Sequence, residues 1–344
     1  MFLLTKKSRT QILLLFLSGS TGNIMKLQGR HIALCVLALL LFFVAFSLND
    51  REGQKSDTLS DPERYYVPYP RDYKFILDDA HACDKGAASP FLVLVVPVAP
   101  GNRLARDIIR QTWGKQSVVQ GKLVQTVFLL GLPTGADAQQ RQGELRVESR
   151  RHRDLIQSDF HDQYRNLTIK TMMMLRWLDS HCTGASYAMK IDSDVFLNIQ
   201  NLVRLLMDPA TPRDNYMTGL VWWHSPVIRD PSNKLHMPRW IMAKPEYPPY
   251  PLGMGYVLSL DLPGKLLQAS AHIRPIYIED VYLGMCLKHL GITPTDPPDE
   301  SMFIINPLFA LGRCRLATVI AVTTTSVSQM LSYWLRSQGS HAGC

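Results

Sequence analysis

Apolar positions along this chain form runs of two kinds. The longest, 32–48, is interrupted only by Ser47 near its end. As a helix it spans about 25 Å at roughly 1.5 Å per residue, which suits a thin bilayer. The other runs are short. Residues 91–96 and 124–130 are continuous aliphatic stretches, the pattern of strands buried on both faces. Between and after them lie helical patterns at 102–113 and, more polar and charged, at 136–151. A short strand is expected around Leu155. A helix over 166–178 follows from the spacing of Leu167, Met172, Leu175 and Leu178, and a further strand covers 187–191. This alternation predicts an α/β domain with a mostly parallel, Rossmann-like sheet and helices on both faces. From Tyr216 the pattern turns irregular, with a Pro/Tyr-rich stretch at 245–251, and is expected to shape a cleft.

Charge changes the picture at the N-terminus. The formal net charge of +8 suggests a nucleic-acid or anionic-surface partner. Lys6, Lys7, Arg9, Lys26 and Arg30 all precede the apolar run, and without them 32 basic residues face 29 acidic ones. The excess is therefore a topology signal, and no nucleic-acid partner is needed. Basic residues before the run, and Asp50, Arg51 and Glu52 after it, place 1–31 in the cytosol as a tail. Residues 32–48 become a transmembrane signal-anchor, a type II arrangement. A cleaved signal peptide is the alternative, and Met25 is a second candidate start. Polar, aperiodic 49–82 reads as a stem and 83–344 as a lumenal domain. Hydrophobic residues at 46% and charged residues at 19% supply a core and exclude a disordered chain. Cys35 lies in the anchor. Cys83, Cys182, Cys286, Cys314 and Cys344 lack zinc-like spacing, so two disulfides and one thiol are expected in an oxidising lumen.

Three groups carry chemistry. Asp192-Ser193-Asp194 follows the strand 187–191. In extended backbone both carboxylates point to one side, where they suit a hard divalent cation bridging a diphosphate. An Asp/Ser turn capping the next helix is the alternative. Glu279-Asp280 opens a predicted helix, either as a dipole-complementing cap or as a general base toward an acceptor hydroxyl. Arg106 and Arg110 share a helix face and are candidates for the diphosphate or for a nearby carboxylate. Trp222 and Trp223 offer sugar stacking or packing. Asn166-Leu167-Thr168 is a glycosylation sequon or a helix cap, and Met172, Met173 and Met174 read as core.

These pieces together resemble the β-1,3-galactosyltransferases. The matching blocks are Arg106-x-x-x-Arg110-x-Thr112-Trp113-Gly114, Asp159-Phe160-x-Asp162-x-Tyr164-x-Asn166-Leu167-Thr168-x-Lys170-Thr171, Lys190-x-Asp192-Ser193-Asp194-x-Phe196-x-Asn198, Gly253-x-Gly255-Tyr256 and Glu279 through Cys286. They run in order over roughly 83–334. The resemblance implies a GT-A-like fold behind a Golgi membrane anchor, UDP-galactose as donor and Mn2+ or another divalent cation. It implies inverting β-1,3 transfer to the 3-hydroxyl of an N-acetylglucosamine-type acceptor on a glycoprotein or glycolipid. Asp280 would be the base, with Glu279 as fallback. Asp194 and Asp192 would hold the metal, with Arg106, Arg110, Asp192 and Ser193 toward the donor. Trp222, Trp223, Gly253, Gly255 and Tyr256 would face the acceptor.

The chain departs from the pattern in three places. Thr323 stands where relatives place a metal-binding histidine, Pro251 where they carry cysteine, and Leu235-His236 where they carry Trp-Tyr. Two alternatives stay open: UDP-N-acetylglucosamine as donor, and a non-catalytic lumenal binding protein or chaperone derived from such enzymes.

Overall fold

The computed structural model describes residues 62–78, 83 and 89–339. The tail, the run 32–48, the first part of the stem and Cys344 lie outside the described residues. Among those described, no helix is long and apolar enough to cross a membrane.

Continuous apolar runs become the centre of the sheet. Strands β1 (Phe75–Asp78), β2 (Leu92–Pro97), β3 (Val118–Val119), β4 (Lys122–Leu132), β5 (Leu155–His161), β6 (Tyr187–Ile191), β7 (Val195–Leu197), β8 (Met217–Trp222) and β9 (Tyr250–Ser259) precede the short β10 (Phe303–Ile304) and β11 (Ala321–Thr323). Helices α1 (Arg103–Gln111), α2 (Ala138–His152), α3 (Leu167–His181), α4 (Ile199–Met207), α5 (Leu262–Ser270), α6 (Glu279–His289), α7 (Arg313–Thr318) and α8 (Val327–Ser337) connect and cover them.

The main sheet runs β1-β5-β4-β2-β6-β9-β8, with β3 beside β4, and β10-β11-β7 forms a second, small sheet. Only the central β5, β4, β2 and β6 are mutually parallel, whereas β1, β9 and β8 add antiparallel. The expectation of a mostly parallel sheet is thus corrected to a mixed one. Helices carry the chain from β2 to β4, from β4 to β5 and from β5 to β6, returning it to the same end of the sheet, but no helix carries it from β8 to β9, and those strands pair antiparallel.

Alternation along β2 builds both faces. Val93 and Val95 enter one core with Ile169, Met172 and Leu175 of α3 and Leu283 of α6. Leu92, Leu94 and Val96 enter the other with Ile109 of α1, Leu202 of α4 and Met330 of α8. Met172, Met173 and Met174 are all core residues.

The domain begins earlier than Cys83. Pro62–Cys344 form one compact unit, and Tyr65, Val67 and Tyr73, assigned to the stem by sequence, are buried in it. Their segment has no helical or strand period over which a burial signal could accumulate, yet β1 still pairs with β5. Cys83 is bonded to Cys182, Cys314 is also disulfide-bonded, and Cys286 is a buried free thiol.

Candidate active site

A cleft of about 580 Å³ opens beyond the carboxyl ends of β2 and β6, where open α/β sheets bind ligands. Asp192 and Asp194 leave β6 on one side, and Glu279 and Asp280 open α6 on the other; all four line the cleft. Helix α6 reaches this position because Gly284 lets it press on β9. A Cβ there would lie 2.8 Å from the Pro249 carbonyl oxygen and 2.8 Å from the Tyr250 Cβ.

The two acidic residues of α6 have different surroundings. Glu279 is buried, and its Oε1 accepts hydrogen bonds from the hydroxyls of Tyr256 at 2.8 Å and Thr171 at 2.9 Å. Asp280 is half-buried. Its Oδ2 accepts from the Gly253 N–H at 3.1 Å and its Oδ1 from the Val281 N–H at 2.9 Å. Burial raises both carboxyls above their ordinary values, and the Lys190 ammonium works against the shift in both.

Asp192 Oδ1 is held by Lys190 Nζ at 2.7 Å. Asp194 is exposed at the cleft mouth but backed by protein. That partial desolvation, and the charge of Asp192 beside it, raises its carboxyl. No helix follows directly, so the capping alternative for this tripeptide does not hold. The strand β7 follows and pairs with β11. Thr324 fixes the Asp194 carbonyl from there, its N–H and hydroxyl donating at 2.8 and 2.7 Å.

The donor chemistry of this corner fits a divalent cation as a shared site. Two hard carboxylates that repel one another face the cleft, and the remaining positions would fall to water and diphosphate oxygens. Among the described residues no group of three His, Cys, Asp or Glu side chains could complete a protein-only site. Thr323 lines the same cleft, and its hydroxyl oxygen accepts the Asn306 N–H at 2.6 Å.

Several expected site residues lie elsewhere. Arg106 is buried, paired bidentately with Glu148 at 2.8 and 2.7 Å and donating to the carbonyls of Ala99 and Pro100. Arg110 binds Asp154, Glu148 and Asp107. With their donors used internally and neither residue lining the cleft, the assignment of these arginines to the donor is corrected to a structural ion network. Ser193 does not line the cleft. Gly253 and Trp222 do, but Trp223 turns away and donates to Asp296 at 2.9 Å. Tyr256 lies beneath the cleft as the donor to Glu279, and Gly255 packs against Met189 and Lys190 in the sheet, so neither faces an acceptor. Asn166 precedes α3 without a capping bond; its amide donates to the His161 carbonyl at 2.8 Å.

Residue-level reasoning assigned no role to Lys190 or Lys170. Lys170 is buried at the cleft wall, donating to Asp162 at 2.8 Å and to the Val98 carbonyl at 2.9 Å. Burial lowers its ammonium and Asp162 partly restores it. Tyr164, Tyr247, Tyr250 and Tyr277 give the wall near Trp222 an aromatic lining. An apolar run interrupted by one lysine, as in β6, was the available signal.

The sequence pattern of the galactosyltransferase family matches residues 104–298. Beta-1,3-galactosyltransferase 2 of Pongo abelii is 37% identical over 281 residues, covering 80% of this chain and 65% of that protein. Its counterpart in Homo sapiens is 36% identical over 275 residues, 79% of this chain and 64% of that one. Beta-1,3-galactosyltransferase 1 of Mus musculus is 38% identical over 266 residues, 77% and 78% of the two chains. The chain therefore spans slightly less than two thirds of the first two relatives. Among solved structures, a glycosyltransferase involved in the glycosylation of the major capsid of PBCV-1 aligns over 72% of this chain and 100% of its own. That alignment has 10% identity and a TM-score of 0.39, too loose to bear on the site.

Proposed function

The chain belongs to the galactosyltransferase family, and from that premise we propose that it transfers galactose from UDP-galactose to the 3-hydroxyl of an N-acetylglucosamine-type acceptor, forming a β-1,3 bond with inversion. The observation that carries this reading is the pair of carboxylate sets in one cleft. Asp192 and Asp194 stand on the donor side, and Asp280 stands on the acceptor side with its neighbour Glu279 already hydrogen-bonded.

Asp280 takes the proton from the acceptor hydroxyl as that oxygen bonds to the anomeric carbon, and the bond from that carbon to the UDP oxygen breaks on the opposite face. The electron pair leaves with the diphosphate. Bound by Asp194 and Asp192, a divalent cation would offset the charge that builds there. The aromatic wall of Trp222, Tyr247 and Tyr250 gives the acceptor ring apolar faces to stack on. The Cys83–Cys182 disulfide supports an oxidising lumen. With it we propose a type II Golgi protein anchored by 32–48, carrying glycan at Asn166.

Thr323 favours a second reading, a non-catalytic lumenal binding protein, because a threonine already bonded to Asn306 is a poor metal ligand. Purified full chain is given Mn2+, β-linked acceptors and either UDP-galactose or UDP-N-acetylglucosamine, and product linkage is read by NMR. A β-1,3-galactoside lost in Asp194→Ala and Asp280→Asn supports the proposal. Transfer only of N-acetylglucosamine changes the donor, and a folded chain that neither transfers nor hydrolyses either donor favours the second reading.

A further inference from the structure

Lys190 sits in β6 with its side chain nearly enclosed, 7% exposed. Nζ donates to Asp192 Oδ1 at 2.7 Å and to the Gly253 carbonyl oxygen, and lies over the Tyr256 ring at 5.8 Å from its centre. Gly253 also donates its N–H to Asp280 Oδ2. A Cβ on Gly253 would lie 3.2 Å from Glu279 Oε2, 3.5 Å from Asp280 Oδ2 and 3.7 Å from Lys190 Nζ, so the charged groups of both sides converge on this glycine. We infer that Lys190 is a positioning residue joining the two carboxylate sets: it holds Asp192 directly and, through the backbone of Gly253, fixes the placement and charge of Asp280.

The physical reason is the imbalance of charge in a poorly solvated place. Asp192, Glu279 and Asp280 lie around the enclosed Lys190 ammonium, while the other buried cation of the cleft, Lys170, is paired with Asp162. Nζ bonds Asp192 Oδ1 and the Gly253 carbonyl oxygen, and Glu279 and Asp280 close on the same glycine from α6. The ionisable groups that act on Asp280 include Lys190 from β6, Glu279 from its own helix, Tyr164, Tyr247 and Tyr250, and Lys170 and Lys234 line the same cleft. Lys190 is the cation that bonds Gly253, whose N–H donates to Asp280. Without it the carboxylate of Asp280 loses a compensating charge, and the Gly253 carbonyl loses its side-chain bond to β6.

The inference rests on Asp280 being the base, so its test includes a readout that needs no turnover. In the full chain, the ionisation of Asp280 is followed by isotope-edited infrared titration, its band identified by loss in Asp280→Asn. Lys190→Met is expected to move the midpoint upward by about one pH unit, and Lys190→Arg to return it most of the way to the wild-type value. The acid limb of the transfer rate should move with it. Lys190→Gln keeps a neutral donor for Asp192 and Gly253 and decides the matter if the Met variant unfolds. A neutral variant that melts at the wild-type temperature with the Asp280 midpoint unmoved overturns the inference. A wild-type chain that transfers no sugar overturns the functional reading instead, while the infrared titration still decides the role of Lys190.

Discussion

The hydroxyl of Tyr256 donates to Glu279 Oε1 across 2.8 Å, from a ring with no exposed surface. This bond gives the two members of the acidic pair different surroundings. With the Thr171 hydroxyl on the same oxygen, Glu279 is buried at the cleft wall, and Asp280 beside it is the more exposed of the pair.

Asp280→Asn should therefore cost about 10²–10⁴-fold in kcat while UDP binding, read by calorimetry, stays near wild type. Burial raises the Asp280 carboxyl, so the proposed base is charged chiefly above that raised value. The rate should fall as pH drops through it, with an acid limb displaced above the ordinary carboxylate range. Removing the Tyr256 hydroxyl in Tyr256→Phe should lower stability by about 1–3 kcal/mol, because Glu279 loses a donor; thermal unfolding measures it.

Arg106→Met tests the corrected role of the arginines. Breaking a buried, bidentate pair should cost about 3–5 kcal/mol, seen in the unfolding midpoint, with the donor KM of the folded fraction unchanged. Burial opposes ionisation of Glu148, but its bonds to Arg106 and Arg110 prevail and lower its carboxyl. The stability from this pair is accordingly present above the ordinary carboxylate range and is lost as pH falls through the lowered value. A raised donor KM without loss of stability would return the arginines to the donor site.

Thr323→His puts an imidazole beside Asp192 and Asp194, on the strand that pairs with β7. The Mn2+ concentration giving half-maximal transfer should drop, with kcat changed less. An unchanged requirement would show that this position does not reach the metal.

Trp222 lines the cleft and Trp223 is tied to Asp296 outside it. Trp222→Ala should raise the acceptor KM and leave the donor KM alone, whereas Trp223→Ala should move neither. Initial-rate kinetics with each substrate varied in turn separate the two.

What the sequence determined by itself is whatever repeats over a short stretch. Continuous aliphatic runs placed β2 and β4 to within a few residues, and the largely apolar run 187–191 placed β6, because a strand buried on both faces asks chiefly for apolar side chains. The two-residue spacing of Asp192 and Asp194, and the opening of α6 at Glu279, made the acidic motifs legible for the same local reason. Only the tertiary structure decided which polar groups are spent. Arg106 meets Glu148 from 42 positions away, Tyr256 meets Glu279 from 23, and Lys190 reaches the Gly253 carbonyl from 63. A charge in a poorly solvated place takes its meaning from partners that the fold delivers across the sheet. Burial in Tyr65 and Tyr73, the antiparallel entry of β9 and the separate surroundings of Glu279 and Asp280 are all consequences of that delivery, and no window of sequence contains them.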